Sequence, residues 1–239
     1  MANLQELKRV KNAVLYTDGT TKCIMLQNVR VSFPKIAVPE PETDDDGNPR
    51  IDKKTGKQKK SFSLAAMLPK ETHGAAKDLC REIIAELIAD KKDQQGKPVK
   101  IAADKKFIIN GDDAAREEYM DHFIVTAREA RQPAVRNRRG DLVLDTDEIA
   151  EMLFAGCIAN VMIRPWFFSG TVKETGKTYP KRVSAGLVGV QFVKDDGTRF
   201  GTGSINTDGA WDNLAEDDDD DGMGSGRPSA PNDDDDDDL

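Results

Sequence analysis

Apolar residues along this chain follow two different periods. In "CIMLQNVRVSF", Cys23 to Phe33, apolar and β-branched residues run densely and stop at Pro34, which predicts a strand. "SFSLAAML", Ser61 to Leu68, predicts a second strand, stopped by Pro69. From about Thr72 to Lys91 the period lengthens. Ala76, Leu79, Cys80, Ile83, Ile84, Leu87 and Ile88 recur at i, i+3 and i+4, the mark of one amphipathic helix packed on a core. "KFIIN" (Lys106 to Asn110), "HFIVTARE" (His122 to Glu129), "CIANVMIRPWFF" (Cys157 to Phe168) and "VSAGLVGVQFV" (Val183 to Val193) read as further strands. "DDAAREEYM" and "TDEIAEMLF" (Thr146 to Phe154) read as short helices, and "DDG" (Asp195 to Gly197) as a turn. Residues 1–20 show no clear period, and "PEPETDDDGNPRIDKKTGKQKK" reads as a long polar loop.

The pattern therefore holds five or six strands with short helices between some of them. Regular helices do not separate the strands, which argues against a parallel βαβ sheet. The expected fold class is mainly β with inserted helices. A small, mostly antiparallel barrel fits, and the oligonucleotide-binding (OB) fold is one such barrel.

Charge changes the picture at the C-terminal end. From Asp212 onward there are thirteen acids against Arg227, a net of −12. The whole chain carries −8, which leaves +4 for residues 1–211. Two domains are expected on this basis: an OB-fold-like body over 1–211 and an acidic tail over 212–239. The tail has almost nothing to bury and its charges repel, so disorder is expected there. It ends in Asp233, Asp234, Asp235, Asp236, Asp237, Asp238 and Leu239.

Cys23, Cys80 and Cys157 are odd in number and far apart, which predicts a reducing cytoplasm without a disulfide framework. "MANLQELKRVKNAV" lacks the apolar core of a secretory signal, and no apolar run approaches 18 residues, so no membrane partner is expected.

"GTVKETGKT" approaches the phosphate-binding pattern G-x-x-x-x-G-K-[ST]. The first glycine should stand at Thr171, however, and Tyr179 and Pro180 follow where a helix should open. A glycine turn in a hairpin loop is the expectation. His73 reads as a surface residue near a helix start, and His122 begins a strand. Neither has metal-site spacing, and the acids near strands show no convergent pattern. No catalytic residue, metal or cofactor is expected, although composition leaves a metal-dependent nuclease open.

Three basic clusters stand out instead. The first is Arg50, Lys53, Lys54, Lys57, Lys59 and Lys60; the second is Arg128, Arg131, Arg136, Arg138 and Arg139. The third, "RPWFFSGTVKETGKTYPKR", combines Arg164, Lys173, Lys177, Lys181 and Arg182 with Trp166, Phe167, Phe168 and Tyr179. Cations that track phosphates and flat rings that stack on bases are the two devices that hold single strands. Trp166 and Phe168 suit either stacking or the core, and Pro165 marks a strand edge or a bulge that hides the alternation. In "RVSAGLVGVQF", Val188, Val190 and Phe192 are expected on one side. Arg182, Ser184, Gly186, Gly189 and Gln191 include much of the other, the two glycines differing in parity.

A basic OB-like body followed by an acidic tail ending in a hydrophobe resembles the phage-encoded single-stranded DNA-binding proteins. The segments "NVRVSFP" and "SAGLVGVQF" carry most of the likeness, which spans "IMLQNVRVSFPKI" to "GLVGVQFVKDDG". The resemblance implies a non-enzymatic binder of single-stranded DNA in phage replication or recombination, working in the host bacterial cytoplasm. It also implies that the tail modulates DNA binding and engages replication or recombination proteins, and it is compatible with a homo-oligomer. The tail departs from many in that class by ending in leucine rather than phenylalanine. Besides the nuclease, the residues leave open an interaction protein whose acidic tail imitates DNA.

Overall fold

The computed structural model describes residues 4–43, 47–52, 55–93, 95–170 and 179–200. The chain divides into two units, Met1–Thr202 and Gly203–Leu239, and every element below belongs to the first. The expected acidic tail and the "TVKETGKT" part of the glycine-turn segment lie outside the described residues.

The elements are β1 (Gln5–Val10), β2 (Ala13–Thr17), β3 (Lys22–Pro41), β4 (Lys60–Pro69), α1 (Lys70–Ile88), β5 (Ile108–Asn110), β6 (His122–Glu129), β7 (Ala134–Arg136), β8 (Leu142–Val143), α2 (Thr146–Met152), β9 (Ile158–Phe168) and β10 (Arg182–Lys194). The fold is mainly β with two inserted helices, as the pattern predicts. The ten strands among the described residues exceed the expected five or six. The β1–β2 hairpin arises from the stretch without a clear period, and β7 and β8 are too short to show one. "DDAAREEYM" forms two 3-10 turns, Gly111–Asp113 and Glu117–Tyr119, rather than a helix.

The strands run β5-β6-β4-β3-β9-β10-β7-β8, with β2 on β3 and β1 on β2. All pairs are antiparallel except β7 with β10. A single parallel bridge, Lys106 to Val183, joins the chain just before β5 to β10, so the sheet curls round as a barrel.

β3 organises this curl. It pairs with β9 over Ile24–Arg30 on one side. On the other it pairs with β2 over Lys22–Leu26 and with β4 from Arg30 onward. Its register shifts between Leu26 and Val29, where Asn28 has a φ of +54°, a conformation asparagine tolerates better than most residues. The Asn28 N–H donates to Asn160 Oδ1 at 3.0 Å, which ties the bend to β9.

β3 does not stop at Pro34. It continues to Pro41 through register shifts between Ser32 and Lys35 and between Lys35 and Glu40, where a residue without an N–H leaves no ladder bond unmade. The expected long loop is correspondingly an ordered arm at its base. Glu42 N–H donates to Lys59 O at 2.7 Å, Lys59 N–H to Arg50 O at 2.7 Å, and Ile51 bridges Gln58. Beyond β10, the expected Asp195–Gly197 turn forms, with the Gly197 N–H on Asp195 Oδ1 at 2.8 Å. Arg30 grips Asp196 through two hydrogen bonds, at 2.9 and 2.7 Å, which holds that carboxyl well below the usual carboxylate range.

α1 starts directly after Pro69, and its predicted stripe faces inward. Ala76, Leu79, Cys80, Ile83 and Ile84 are buried, and Leu87 and Ile88 pack partly buried against the same core. α2 is capped by Asp145, whose side chain accepts from the N–H groups of Asp147 and Glu148. The three cysteines are free and buried, and burial pushes the thiols of Cys80 and Cys157 up to about 12 and about 11.

His73 is not the surface residue its place near a helix start suggests. Only 3% of it is exposed. Its Nε2–H donates to Gln27 O at 3.0 Å, and Nδ1 pairs with Thr72 Oγ1 at 2.8 Å. A charged ring here would lose its hydration, so burial lowers its pKa below 6.5 despite the bond to Gln27. The unfolded chain therefore binds this proton more readily than the folded one. The resulting stability is fully present above the unfolded pKa and is lost as pH falls from there through the folded value. Thermal melts between pH 7.5 and 5.5 should show a falling Tm, and His73→Gln, which keeps a donor for Gln27, should flatten that fall. An unaltered pH dependence in the variant would contradict the assignment.

Candidate nucleic-acid interface

β9 alternates without a break through Pro165. Ala159, Val161, Ile163 and Pro165 are buried, whereas Arg164 and Trp166 are exposed. Pairing with β3 ends at Ile163, so Pro165 lies where β9 has only β10 beside it. Its missing N–H costs nothing on that open edge. β10 matches the outward residues one for one: Gly186 opposite Arg164, Ser184 opposite Trp166, Arg182 opposite Phe168.

A register shift between Leu187 and Gly189 then moves Val188 out of step, which returns Gly189 and Gln191 to the face that holds Gly186. This resolves the mismatch in parity between the two glycines. Both glycines serve close approaches. A Cβ on Gly189 would stand 3.0 Å from Ala134 O, and one on Gly186 would stand 3.0 Å from Glu129 Oε2.

Trp166 is 41% exposed and meets Phe168 edge to face, with centroids 6.3 Å apart. The Arg182 guanidinium lies 5.1 Å from the Phe168 centroid. Phe167, on the opposite parity, packs against the core.

This face forms part of a groove of about 1020 Å³. β4 and β6 line it with small and cationic residues in register, Ser63 opposite Arg128 and Ala65 opposite Thr126. β9 contributes Arg164 and Trp166, and β10 contributes Arg182 and Ser184. The cations along it are Arg50, Lys105, Lys106, Arg116, Arg128, Arg164 and Arg182, against the acids Glu42, Asp104 and Glu129. Four more cations than acids give the groove a positive field that favours an anionic ligand.

A second aromatic group comes from β3 and the 3-10 turns. Phe33 is 36% exposed and holds a φ of +46°, a strained conformation for a residue with a Cβ. Arg116 stacks 4.2 Å from its centroid and lies 5.9 Å from that of Tyr119.

Of the residues expected to bind, the fold gathers Arg128, Arg164, Trp166 and Arg182 at the groove, with Phe168 beside Arg182. Lys59 and Lys60 are exposed at the base of the arm, whose Arg50 does reach the groove. Arg131, Arg136, Arg138 and Arg139 are exposed on the β7–β8 hairpin and the segment leading to it, and they do not line the groove. Tyr179 is exposed, its N–H bonded to Gly170 O at 2.6 Å, and Lys181 is half-buried nearby; neither lines the groove. Lys173, Lys177, Asp233 to Asp238 and Leu239 lie outside the described residues.

Phe33, Lys105, Lys106, Arg116 and Tyr119 line the groove although no basic cluster pointed to them. Arg116 and Tyr119 sit in an acidic stretch where charge counting hides them. Phe33 lies in the "NVRVSFP" segment, directly before a proline, and that was its one signal. Among the described residues, no group of three His, Cys, Asp or Glu side chains is gathered to hold a metal ion. Nor is any helix among them long and apolar enough to cross a membrane.

The family described as Enterobacter phage Enc34, ssDNA-binding protein, matches residues 21–223. The solved structure of the single-stranded DNA-binding protein from bacteriophage Enc34 is similar at 31% identity and a TM-score of 0.64, over 88% of this chain and 99% of that one. The same bacteriophage protein in complex with ssDNA is similar at 30% identity and a TM-score of 0.66, over 84% of this chain and 100% of that one. Its C-terminal truncation gives 30% and 0.65, over 83% and 98%. No curated protein matches this chain.

Proposed function

We propose, from the premise that this chain belongs to the family of the Enterobacter phage Enc34 ssDNA-binding protein, that it binds single-stranded DNA without sequence preference in the groove between β4, β6, β9 and β10. It acts as a coat that protects unpaired strands during phage replication or recombination in the host cytoplasm, as a binder and not as a catalyst. The observation that carries this reading is Trp166, an exposed ring between Arg164 and Arg182 in strand register, beside a floor of Ser63, Ala65 and Ser184. Rings take the faces of bases and cations take phosphates, and neither depends on which base is present. The relative solved in complex with ssDNA supports the choice of ligand.

The acidic segment 212–239 acts as a tethered competitor. Because it is covalently joined to the body, it competes at an effective concentration on the order of millimolar. Bound DNA displaces it and leaves the tip with Leu239 free for replication or recombination proteins.

Titration with oligo-dT should quench the intrinsic fluorescence. Trp166→Ala should weaken binding by about 1–3 kcal/mol, the range for loss of one stacking platform. Phe33→Ala should weaken it too, through loss of the ring alone, because alanine keeps the Cβ that a φ of +46° disfavours and so leaves the backbone strain as it is. Variants that bind like the wild type would exclude this groove. Removal of residues 212–239 should tighten binding at low salt and alter its salt dependence. An unchanged affinity there would refute competition while leaving the groove in place. Labelled oligonucleotide held with the protein and magnesium should keep its full length; shortening would favour the nuclease.

A further inference from the structure

One of the groove's three acids stands where the end of β6 packs against β10 and reaches a cation of β9. Glu129 is the last residue of β6. Its Oε1 accepts the Ala130 N–H at 3.1 Å, and its Oε2 accepts from Arg164 Nη2 at 3.1 Å. Both side chains reach solvent, 48% of Arg164 and 28% of Glu129. Gly186 makes the arrangement fit, because a Cβ there would stand 3.0 Å from the carboxylate oxygen and 3.5 Å from Arg164 Nη2. The pair therefore lies over the backbone of β10, in the groove that Trp166 and Arg128 also line, where a strand's phosphates would pass.

A carboxylate and a phosphate present the same chemistry to a guanidinium: oxygen acceptors with negative charge. A single, half-exposed ion pair is weak in water, whereas a strand offers a continuous row of anions. We propose that Arg164 changes partner on binding, leaving Glu129 for a backbone phosphate, and that Glu129 is a built-in competitor that limits affinity for single strands. This rests on the function proposed above and adds a residue that works against binding within the same site.

Oligo-dT titrations across a salt series, with the wild-type chain, Glu129→Gln, Arg164→Gln and the double variant, test the exchange. The Glu129→Gln side chain keeps an oxygen that can accept the Arg164 N–H, so position is preserved while the charge is lost. Glu129→Gln should tighten binding by roughly two- to fivefold, the effect of relieving one partly exposed ion pair, with the log–log salt slope unchanged. Arg164→Gln should weaken binding and reduce that slope by about 0.7, one phosphate contact on a single strand. In the Arg164→Gln background, the gain from Glu129→Gln should shrink.

Weaker binding by Glu129→Gln would make Glu129 a positioning residue for Arg164 and overturn the exchange. So would an Arg164→Gln slope equal to the wild type's, which would mean that Arg164 never reaches a phosphate. That second arm stands whether or not the Glu129 variant folds, and thermal melts of each variant check folding directly. A wild-type chain that does not bind oligo-dT at low salt would instead overturn the functional reading itself.

Discussion

The outward row Arg164, Trp166 and Phe168 exists because β9 stays in antiparallel register with β10 after β3 has left it. With β3 gone beyond Ile163, one edge of β9 is open and Pro165 can occupy it without breaking a ladder. Alternation then continues to Phe168, and inward residues keep to the core. If the register moved by one residue, Trp166 would turn inward and Phe167 outward, and Arg164 would leave the groove. The bulge at Val188 matters in the same way on the opposite strand. It keeps small residues, Gly186 and Gly189, opposite or beside the large outward ones along the whole ribbon.

A site of this kind needs a rigid support, because rings and guanidiniums must stay exposed rather than collapse onto the core. The support comes from the other face of the same strands. Leu64, Ala66 and Leu68 of β4, Val125 and Ala127 of β6 and Ile163 and Leu187 of the ribbon are buried in one cluster with the inner stripe of α1. Each buried aliphatic side chain contributes on the order of 1.5–3 kcal/mol against exposure. That easily outweighs an exposed tryptophan and one strained residue, Phe33. The groove side of β4 and β6 can accordingly be given over to serine, alanine, threonine and arginine.

Much of this was legible in the sequence, and the parts that were not share a cause. The stripe from Ala76 to Ile88, strands β4, β6, β9 and β10 and the short helix α2 were read from local sequence pattern, which survives folding. The β1–β2 hairpin did not, because β1 is exposed along nearly its whole length and has no buried face to alternate against. His73 looked superficial because helix starts usually face water, and only the distant Gln27 carbonyl brings it inside. The site was split in the same manner. Arg164, Trp166 and Arg182 are near one another in sequence, and the reading of that cluster placed them together. Arg116 and Tyr119 come from a segment more than eighty residues from Phe33, and no local count of charge could join them. The hairpin arginines were the converse: dense in sequence, yet carried on β7 and β8 beyond the ribbon.

The make-up of the groove bears on what kind of selectivity it can exert. Reading a base by its edge takes fixed donors and acceptors in a set geometry, each worth enough to reject the wrong base. The floor here is Ser63, Ala65, Thr126 and Ser184, short side chains with few polar groups, under rings and long flexible cations. Such a surface recognises faces and charge. On the function proposed above, its discrimination would lie between strands whose bases are free to stack and duplexes whose bases are not. The acids placed along it, Glu42, Asp104 and Glu129, lower the purely electrostatic share of binding for any polyanion. They leave stacking untouched, so each one shifts the balance toward unpaired bases. On this view a groove with fewer acids would hold DNA more tightly and would distinguish single strands less well.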